Sequence, residues 1–164
     1  MRRLSDDERT EFRKKHLPYV IYVMRGHKRL CNCKRMQDDK GGYNDDPCIL
    51  EASFVGSLAA GRMLLHFLGV DVDGGQDRLK RHVWRFEDDL NMEGLGGSLA
   101  DLDRLNAEES TRALLVGFLK MASKAAAHMT IPVSRPWRDT WEAFDMIEAL
   151  LRECWWKDGV AFPP

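Results

Sequence analysis

The chain has 164 residues, of which 44% are apolar and 31% charged, and its formal net charge is -1. This composition excludes the low-hydrophobicity, high-charge class of disordered proteins. A chain of this length buries roughly two thirds of its unfolded surface, which is enough for one core. We therefore predict one domain, residues 1–164, that folds alone or as a small oligomer.

The charges are unevenly distributed along the chain. Residues 1–40 hold twelve Lys or Arg against six acids, whereas residues 86–109 hold eight acids and one Arg. The basic end can bind nucleic acid, in particular through the stretch from Arg25 to Arg35. It can equally pair with the acidic segment of its own fold or of a partner subunit, which we favour because charge runs are usually solvated faces.

The N-terminal segment and the cysteines indicate the cellular compartment. Residues 1–16 are strongly charged, unlike a signal peptide, and no uninterrupted apolar run reaches the ~18 residues needed to span a bilayer. Cysteines in a chain with ample core fit reduced thiols better than a disulfide framework. The sequence therefore predicts a cytoplasmic protein that does not enter the membrane. The cysteines are Cys31, Cys33, Cys48 and Cys154.

The first helical segment is marked by a capping residue and a proline. Ser5 followed by three acids is typical of a helix start. Pro18 cannot donate a backbone hydrogen bond, so we expect the helix to kink or restart near His16. A second, apolar helix runs from Tyr19 to about Cys33, and residues 37–47 form a loop by composition.

A long helix with almost no charge follows this loop. Asp45 or Asp46 caps it, Pro47 occupies a tolerated first-turn position, and Gly69 ends it. One face is apolar, and the other positions are small enough to let neighbouring helices approach closely. The small residues are Ala52, Gly56, Ala59, Ala60 and Gly61.

Three further helices are predicted in the second half of the chain. Residues 77–91 form a third helix and residues 94–97 a turn. Asn106 and Glu109 resemble a capping box that starts a helix ending at Met129. The last helix, residues 137–159, carries an aromatic stripe at core spacing. Because no strand pattern of useful length is present, the predicted fold is all-α, an antiparallel four- to five-helix bundle.

Three of these segments resemble a known group of proteins. They are the Tyr-led helix from Tyr19 to Leu30, the helix Ile49–Phe54 continuing through Arg62–Phe67, and Ala127–Thr130 followed by Arg135 and Trp137. Together they resemble uncharacterised bacterial helical-bundle proteins related to the HEPN-like superfamily. The likeness extends from about residue 17 to residue 155.

This resemblance implies a protein that acts by binding, as a homodimer, with no assignable catalysis. The superfamily also includes RNases of toxin–antitoxin and phage-defence systems, which use an Arg followed a few residues later by a His. Here Arg9 and His16 meet that spacing, but they lie in the first helix rather than late in the chain. RNase activity is therefore kept as an alternative.

A binding site is predicted at His128, Arg135 and Arg62. The imidazole of His128 titrates near neutrality and can contact a phosphate beside the two arginines. The alternative, which we favour, is that His128 is stabilised by the helix dipole and caps carbonyls at a helix end.

A zinc site is possible at His27, Cys31, Cys33 and Cys48. However, a regular helix points Cys31 and Cys33 about 200° apart, and free cysteine prefers buried positions. We therefore favour unlinked thiols.

The other histidines permit one more metal-site hypothesis. His16, His66, His82 and His128 are dispersed, but a metal site of the kind found in some four-helix hydrolases is geometrically possible. His66 lies in an apolar helix and is expected to be a buried, hydrogen-bonded imidazole. The favoured prediction contains no catalytic residue, no metal and no cofactor, with a metal-dependent hydrolase as an alternative.

Overall fold

The computed structural model describes residues 5–32, 47–85, 89–128, 137–155 and 161–162. These ranges are predominantly helical, as predicted, and they also contain a two-stranded antiparallel sheet that was not predicted. The helices are α1 (Asp6–Glu11), α2 (Leu17–Met24), α3 (Gly26–Cys31), α4 (Pro47–Phe67), α5 (Leu102–Ala107), α6 (Glu109–His128) and α7 (Trp137–Cys154). The strands are β1 (Val70–Val72) and β2 (Leu79–Arg81).

The first helical segment begins where the sequence predicts. The Ser5 hydroxyl accepts a hydrogen bond from the Glu8 N–H at 3.3 Å, and the Glu8 carboxylate accepts one from the Ser5 N–H at 2.9 Å. A π-helical turn, Phe12–His16, then joins α1 to α2. Because Pro18 offers no N–H, one bond of the helical ladder is missing there, and the wider turn accommodates the change. The predicted irregularity near His16 is therefore present without a break in the helix.

Helix α4 lies at the centre of the fold and packs against α2, α3, α6 and α7. Gly61 makes this possible, because a Cβ atom there would lie 2.7 Å from Cζ of Phe118 on α6. Phe118 in turn makes an edge-to-face contact with Phe144 of α7, with ring centroids 5.6 Å apart. The predicted small-residue face is only partly correct, since Ala52 and Ala59 are exposed.

The predicted third helix over residues 77–91 is wrong. Residues 79–81 form β2, in which Leu79 pairs with Val72 and Arg81 with Val70. The side chain of Asn106 completes the backbone hydrogen bonding of β2: it accepts from the Leu79 N–H at 2.9 Å and donates to the Leu79 carbonyl at 3.0 Å. This partner is distant in sequence, so local helical periodicity could not reveal it.

The predicted capping role of Asn106 is also wrong, because its side chain is bonded to the backbone of Leu79. Asn106 lies inside α5, a short helix that was not predicted, and Asp101 caps that helix by accepting from the N–H groups of Asp103 and Arg104. Helix α6 begins at Glu109 after an extended Glu108. The predicted turn over residues 94–97 is present, with Gly96 at φ +91°.

The basic stretch pairs within the fold, as favoured from the sequence, but with different acids. Arg25 forms an ion pair with Glu148 at 2.6 Å, and Lys28 forms one with Asp145 at 2.8 Å. Both acids belong to α7 rather than to the acidic segment 86–109. Helices α2 and α3 are thereby connected to α7 at the surface. Among the described helices, none has the length and apolar character to cross a membrane.

Candidate metal centre

Three potential metal ligands meet where α4 turns into the sheet. His66 lies in the last turn of α4, Asp71 at the centre of β1, and His82 directly after β2. The chain reverses after α4 through Gly69, whose φ of +79° is in the left-handed region that favours glycine. The N–H of His82 donates to the Gly69 carbonyl at 3.1 Å, which fixes the position of His82 relative to α4.

The carboxylate of Asp71 contacts one ring nitrogen of each imidazole. His82 Nδ1 is 3.2 Å from Asp71 Oδ2, and His66 Nε2 is 3.6 Å from Asp71 Oδ1. One potential ligand atom from each residue can be chosen so that all three lie within 4.8 Å of one another. The two rings are stacked, with centroids 4.0 Å apart and planes inclined by 12°.

The surroundings favour a neutral His66 and an ionised Asp71. Burial lowers the pKa of His66 to about 4, and the positive charges of His82 and Arg62 act in the same direction, while Asp71 opposes them. Burial raises the pKa of Asp71, but hydrogen bonds from the Val72 N–H and from His82 outweigh this and leave the pKa below its ordinary value. At neutral pH the cluster therefore offers an uncharged imidazole beside a carboxylate.

His66 Nε2 is a buried polar atom without a hydrogen-bond partner among the described residues. Its 3.6 Å separation from Asp71 Oδ1 is too long for a hydrogen bond, and a neutral imidazole forms no ion pair with the carboxylate. The sequence predicted a buried, hydrogen-bonded imidazole at this position. The residue is half-buried, and its Nε2 lacks the expected hydrogen bond.

Two imidazoles and one carboxylate form a ligand set that suits divalent transition metals. The stacked rings do not yet direct both lone pairs to one point, because an imidazole binds a metal in the plane of its ring. Binding therefore requires one ring to turn about its side-chain torsions.

An apolar cleft opens beside the cluster, with a volume of about 360 Å³. His66 and His82 form part of its wall, and Trp84 lies edge-on to His82 with ring centroids 5.6 Å apart. The remaining wall is mostly apolar and comes from the π-helical turn, α2, α4 and the segment after β2. A metal ion held by the cluster would therefore lie beside a cleft that can take a small molecule.

The predicted site at His128, Arg135 and Arg62 is not assembled by the described residues. His128 is the last residue of α6, but its side chain and the whole of Arg135 lie outside the described part of the chain. Arg62 lies one turn before His66 on α4, and its charge contributes to the lowered pKa of His66. The convergence of Arg62 with the other two residues stays a prediction.

The predicted zinc ligands His27 and Cys31 do lie together. Cys31 Sγ is 3.4 Å from His27 Nε2, and both residues are buried. The other ring nitrogen, Nδ1, is 3.0 Å from the Ser53 hydroxyl, which donates to the Leu50 carbonyl. Cys33 and the side chain of Cys48 are outside the described residues, so the four-ligand site stays a prediction.

The sequence hypothesis of dispersed histidine ligands included His66 and His82 but not Asp71. Asp71 follows the helix end predicted at Gly69, where no element was predicted, and His82 falls in a segment predicted to be helical. Only the pairing of β1 with β2 brings them together. The signal that was present in the sequence was His66 itself, a polar group in an otherwise apolar helix end.

Comparisons of the chain with protein-family models, with curated proteins and with solved structures give no match.

Proposed function

We propose that this protein is a metal-dependent enzyme of the hydrolase type that holds one divalent transition-metal ion with His66, Asp71 and His82. The observation that supports the proposal is the buried Nε2 of a neutral His66, which has no hydrogen-bond partner in the described part of the chain, beside an ionised carboxylate. A buried polar atom without a partner costs roughly 1–3 kcal/mol. A bound cation would satisfy this nitrogen and neutralise Asp71.

The three ligands found among the described residues favour a catalytic ion over a structural one. Structural zinc sites use four protein ligands, whereas catalytic sites use three and keep one position open. A divalent ion at the cluster would supply a Lewis acid and lower the pKa of a water molecule bound to it. His66 and Asp71 would hold the ion at the wall of the cleft, and the apolar lining would keep bulk water away.

The free energy needed to separate the stacked rings of His66 and His82 is small compared with the free energy of metal binding. A stacked aromatic pair contributes about 0.5–1.5 kcal/mol, whereas micromolar affinity for an ion corresponds to about 8 kcal/mol. The stack therefore cannot prevent coordination. It is expected to be the arrangement of the metal-free protein.

Cobalt(II) binding tests the proposal, because tetrahedral or five-coordinate Co(II) absorbs visible light and reports its ligands. We expect metal-free full-length protein to bind one Co(II) per chain with a visible d–d band. The band should disappear in His66→Ala and His82→Ala and persist in His16→Ala, whose exposed histidine lies outside the cluster. Asp71→Asn keeps the side-chain volume and should weaken binding at least about tenfold, since it removes the only negative ligand.

Three results would contradict the metal site or its use. The first is no cobalt band in folded wild-type protein. The second is a band that survives His66→Ala but is lost in Cys31→Ser, which would place the ion at His27 and Cys31. The third is hydrolysis of p-nitrophenyl esters that is equal with and without metal, which would contradict the catalytic part.

Binding without catalysis, as implied by the HEPN-like resemblance, is the second proposal for this chain. The predominance of helices around α4 supports it, as does the resemblance itself. Homodimer formation and a cytoplasmic location belong to the same proposal. RNase activity through Arg9 and His16 rests on their spacing alone.

Nucleic-acid binding through the stretch from Arg25 to Arg35 is a further part of that second proposal. Arg25 and Lys28 already pair with acids of α7, and the Arg29 guanidinium lies 4.7 Å from the ring centre of Tyr22. Lys34 and Arg35 lie outside the described residues. If these basic side chains bound the phosphates of a nucleic acid, the affinity would fall steeply with added salt.

A further inference from the structure

We infer that the cleft beside the cluster binds the substrate, and that this substrate is a small molecule with one anionic metal-binding head on a compact apolar body. The inference rests on the proposed function, because the metal ion would bind the head. It adds what the cluster alone does not define, namely the chemical class of the molecule.

The wall of the cleft selects an apolar body. Its volume of about 360 Å³ is at the lower end of the range for ligand pockets, which indicates a compact molecule. Apart from the histidines, most of its lining is aromatic or aliphatic and comes from four separate segments of the chain. These residues include Phe12, Val20, Met63, Phe67, Trp84 and Leu90.

The polar groups of the cleft limit the substrate to one polar head. His66 and His82 belong to the cluster, and the carboxylate of Asp89 already accepts a hydrogen bond from the Arg85 N–H at 2.8 Å. The other described lining residues offer no charged side chain. A second polar group on the substrate would therefore lose its hydration without gaining a strong partner.

The charges near the cluster select an anionic head. Arg62 lies one turn before His66 and acts on it as a positive charge. A divalent ion would add two positive charges, and the carboxylates of Asp71 and Asp89 would each remove one. With Arg62, the site would then carry a net positive charge, which a hydroxamate neutralises. A hydroxamate also keeps a C–N bond that a hydrolase can cleave, with water supplying the new bond to carbon.

Met63 marks the mouth of the cleft. Met63 lines the cleft and is 59% exposed, so it presents apolar surface to solvent beside the histidines. An apolar body in the cleft would cover it. Because Met63 points away from the core, replacing it should change binding without preventing folding.

Two hydroxamic acids that share one head test the inference. We propose to titrate Co(II)-loaded full-length protein with benzohydroxamic acid and with acetohydroxamic acid, and to follow the cobalt d–d band. Burying a phenyl group in place of a methyl group should lower the dissociation constant at least about tenfold. Met63→Gln should reduce this preference several-fold, because the isosteric side chain makes the wall polar.

Ile49→Gln is the matched control. Ile49 is 52% exposed on the same helix, near its other end, and does not line the cleft. Its replacement should leave the preference for benzohydroxamic acid unchanged. An equal effect of the two substitutions would overturn the role assigned to the cleft.

The remaining outcomes separate this inference from the proposed function. A normal cobalt band with equal affinity for both hydroxamic acids would overturn the inference and leave the metal site intact. Absence of the cobalt band in the wild-type protein would overturn the proposed function and the inference together.

Discussion

Glu148 is held by two arginines at the surface between α3 and α7. Its carboxylate accepts hydrogen bonds from Arg25 Nε and Arg152 Nη2, each at 2.8 Å. Burial raises the pKa of Glu148, but the hydrogen bonds and charges of the two arginines outweigh it and leave the pKa below its ordinary value. The Arg25 and Glu148 side chains are only 16% and 22% exposed, so water screens this pair weakly.

Glu148→Gln should therefore lower the free energy of unfolding by about 1.5–3 kcal/mol near neutral pH, as expected for a partly buried charge-assisted hydrogen bond. Because the pKa of Glu148 is lower in the folded than in the unfolded chain, its contribution is present above the ordinary value of 4.5 and is lost as the pH falls below it. Urea unfolding of wild type and variant at about pH 7 and about pH 3 measures the difference.

The neighbouring pair of Lys28 and Asp145 provides the control for this prediction. Asp145 is 67% exposed, and Asp145→Asn should cost only about 0–1 kcal/mol. A stability loss in Glu148→Gln that is as large near pH 3 as near pH 7 would show that the carboxylate charge is not its cause.

At the scale of the elements, α4 is positioned by a close contact at one glycine. Gly61 faces Phe118 and Phe144, where a Cβ atom would lie 2.7 and 3.3 Å from ring carbons. Gly56, earlier on the same helix, would have a Cβ with no described heavy atom within 4 Å apart from its own helix. Alanine substitutions at the two glycines therefore distinguish the effect of packing on stability from the effect of helix propensity.

Gly61→Ala should destabilise the protein by up to about 2 kcal/mol, because an overpacked core costs roughly 1–3 kcal/mol and the gain in helix propensity is about 1 kcal/mol. Gly56→Ala should stabilise it by about 0.5–1 kcal/mol. Urea midpoints of the two variants measure both effects. Stabilisation by both substitutions would show that α4 and α6 do not approach each other as closely as described.

The elements also differ in how far the sequence predicts them. The Ser5 cap and the helix end before Gly69 depend on residues within one turn, and the sequence located both. Residues 77–91 were predicted to be helical, but Leu79 is paired with Val72 and with the side chain of Asn106. Contacts between distant residues decide this strand, so local propensity gives the wrong result there.

At the scale of the whole molecule, two exposed tyrosines support the proposed homodimer. Tyr19 and Tyr22 of α2 are 67% and 58% exposed, and tyrosine is enriched at protein interfaces. They lie on the face of α2 that is turned away from the core.

Light scattering should give a mass of twice 18.9 kDa for the full chain. The double variant Tyr19→Ser and Tyr22→Ser should return the mass to that of one chain, because it removes the apolar centre of the interface. Val83→Ser is the control, since Val83 is 68% exposed but lies after β2, and it should leave the mass unchanged. A wild-type mass of 18.9 kDa at all concentrations would contradict the dimer.

The sequence by itself determined the predominance of helices, the N-cap at Ser5 and the end of α4 before Gly69, because caps and apolar periodicity act within a few residues. Only the tertiary structure decided the hairpin and the meeting of His66, Asp71 and His82. These three residues lie on different elements, and their separation depends on how β1 pairs with β2 after the turn at Gly69. Such pairing is stabilised by contacts across the fold, which no single stretch of sequence contains.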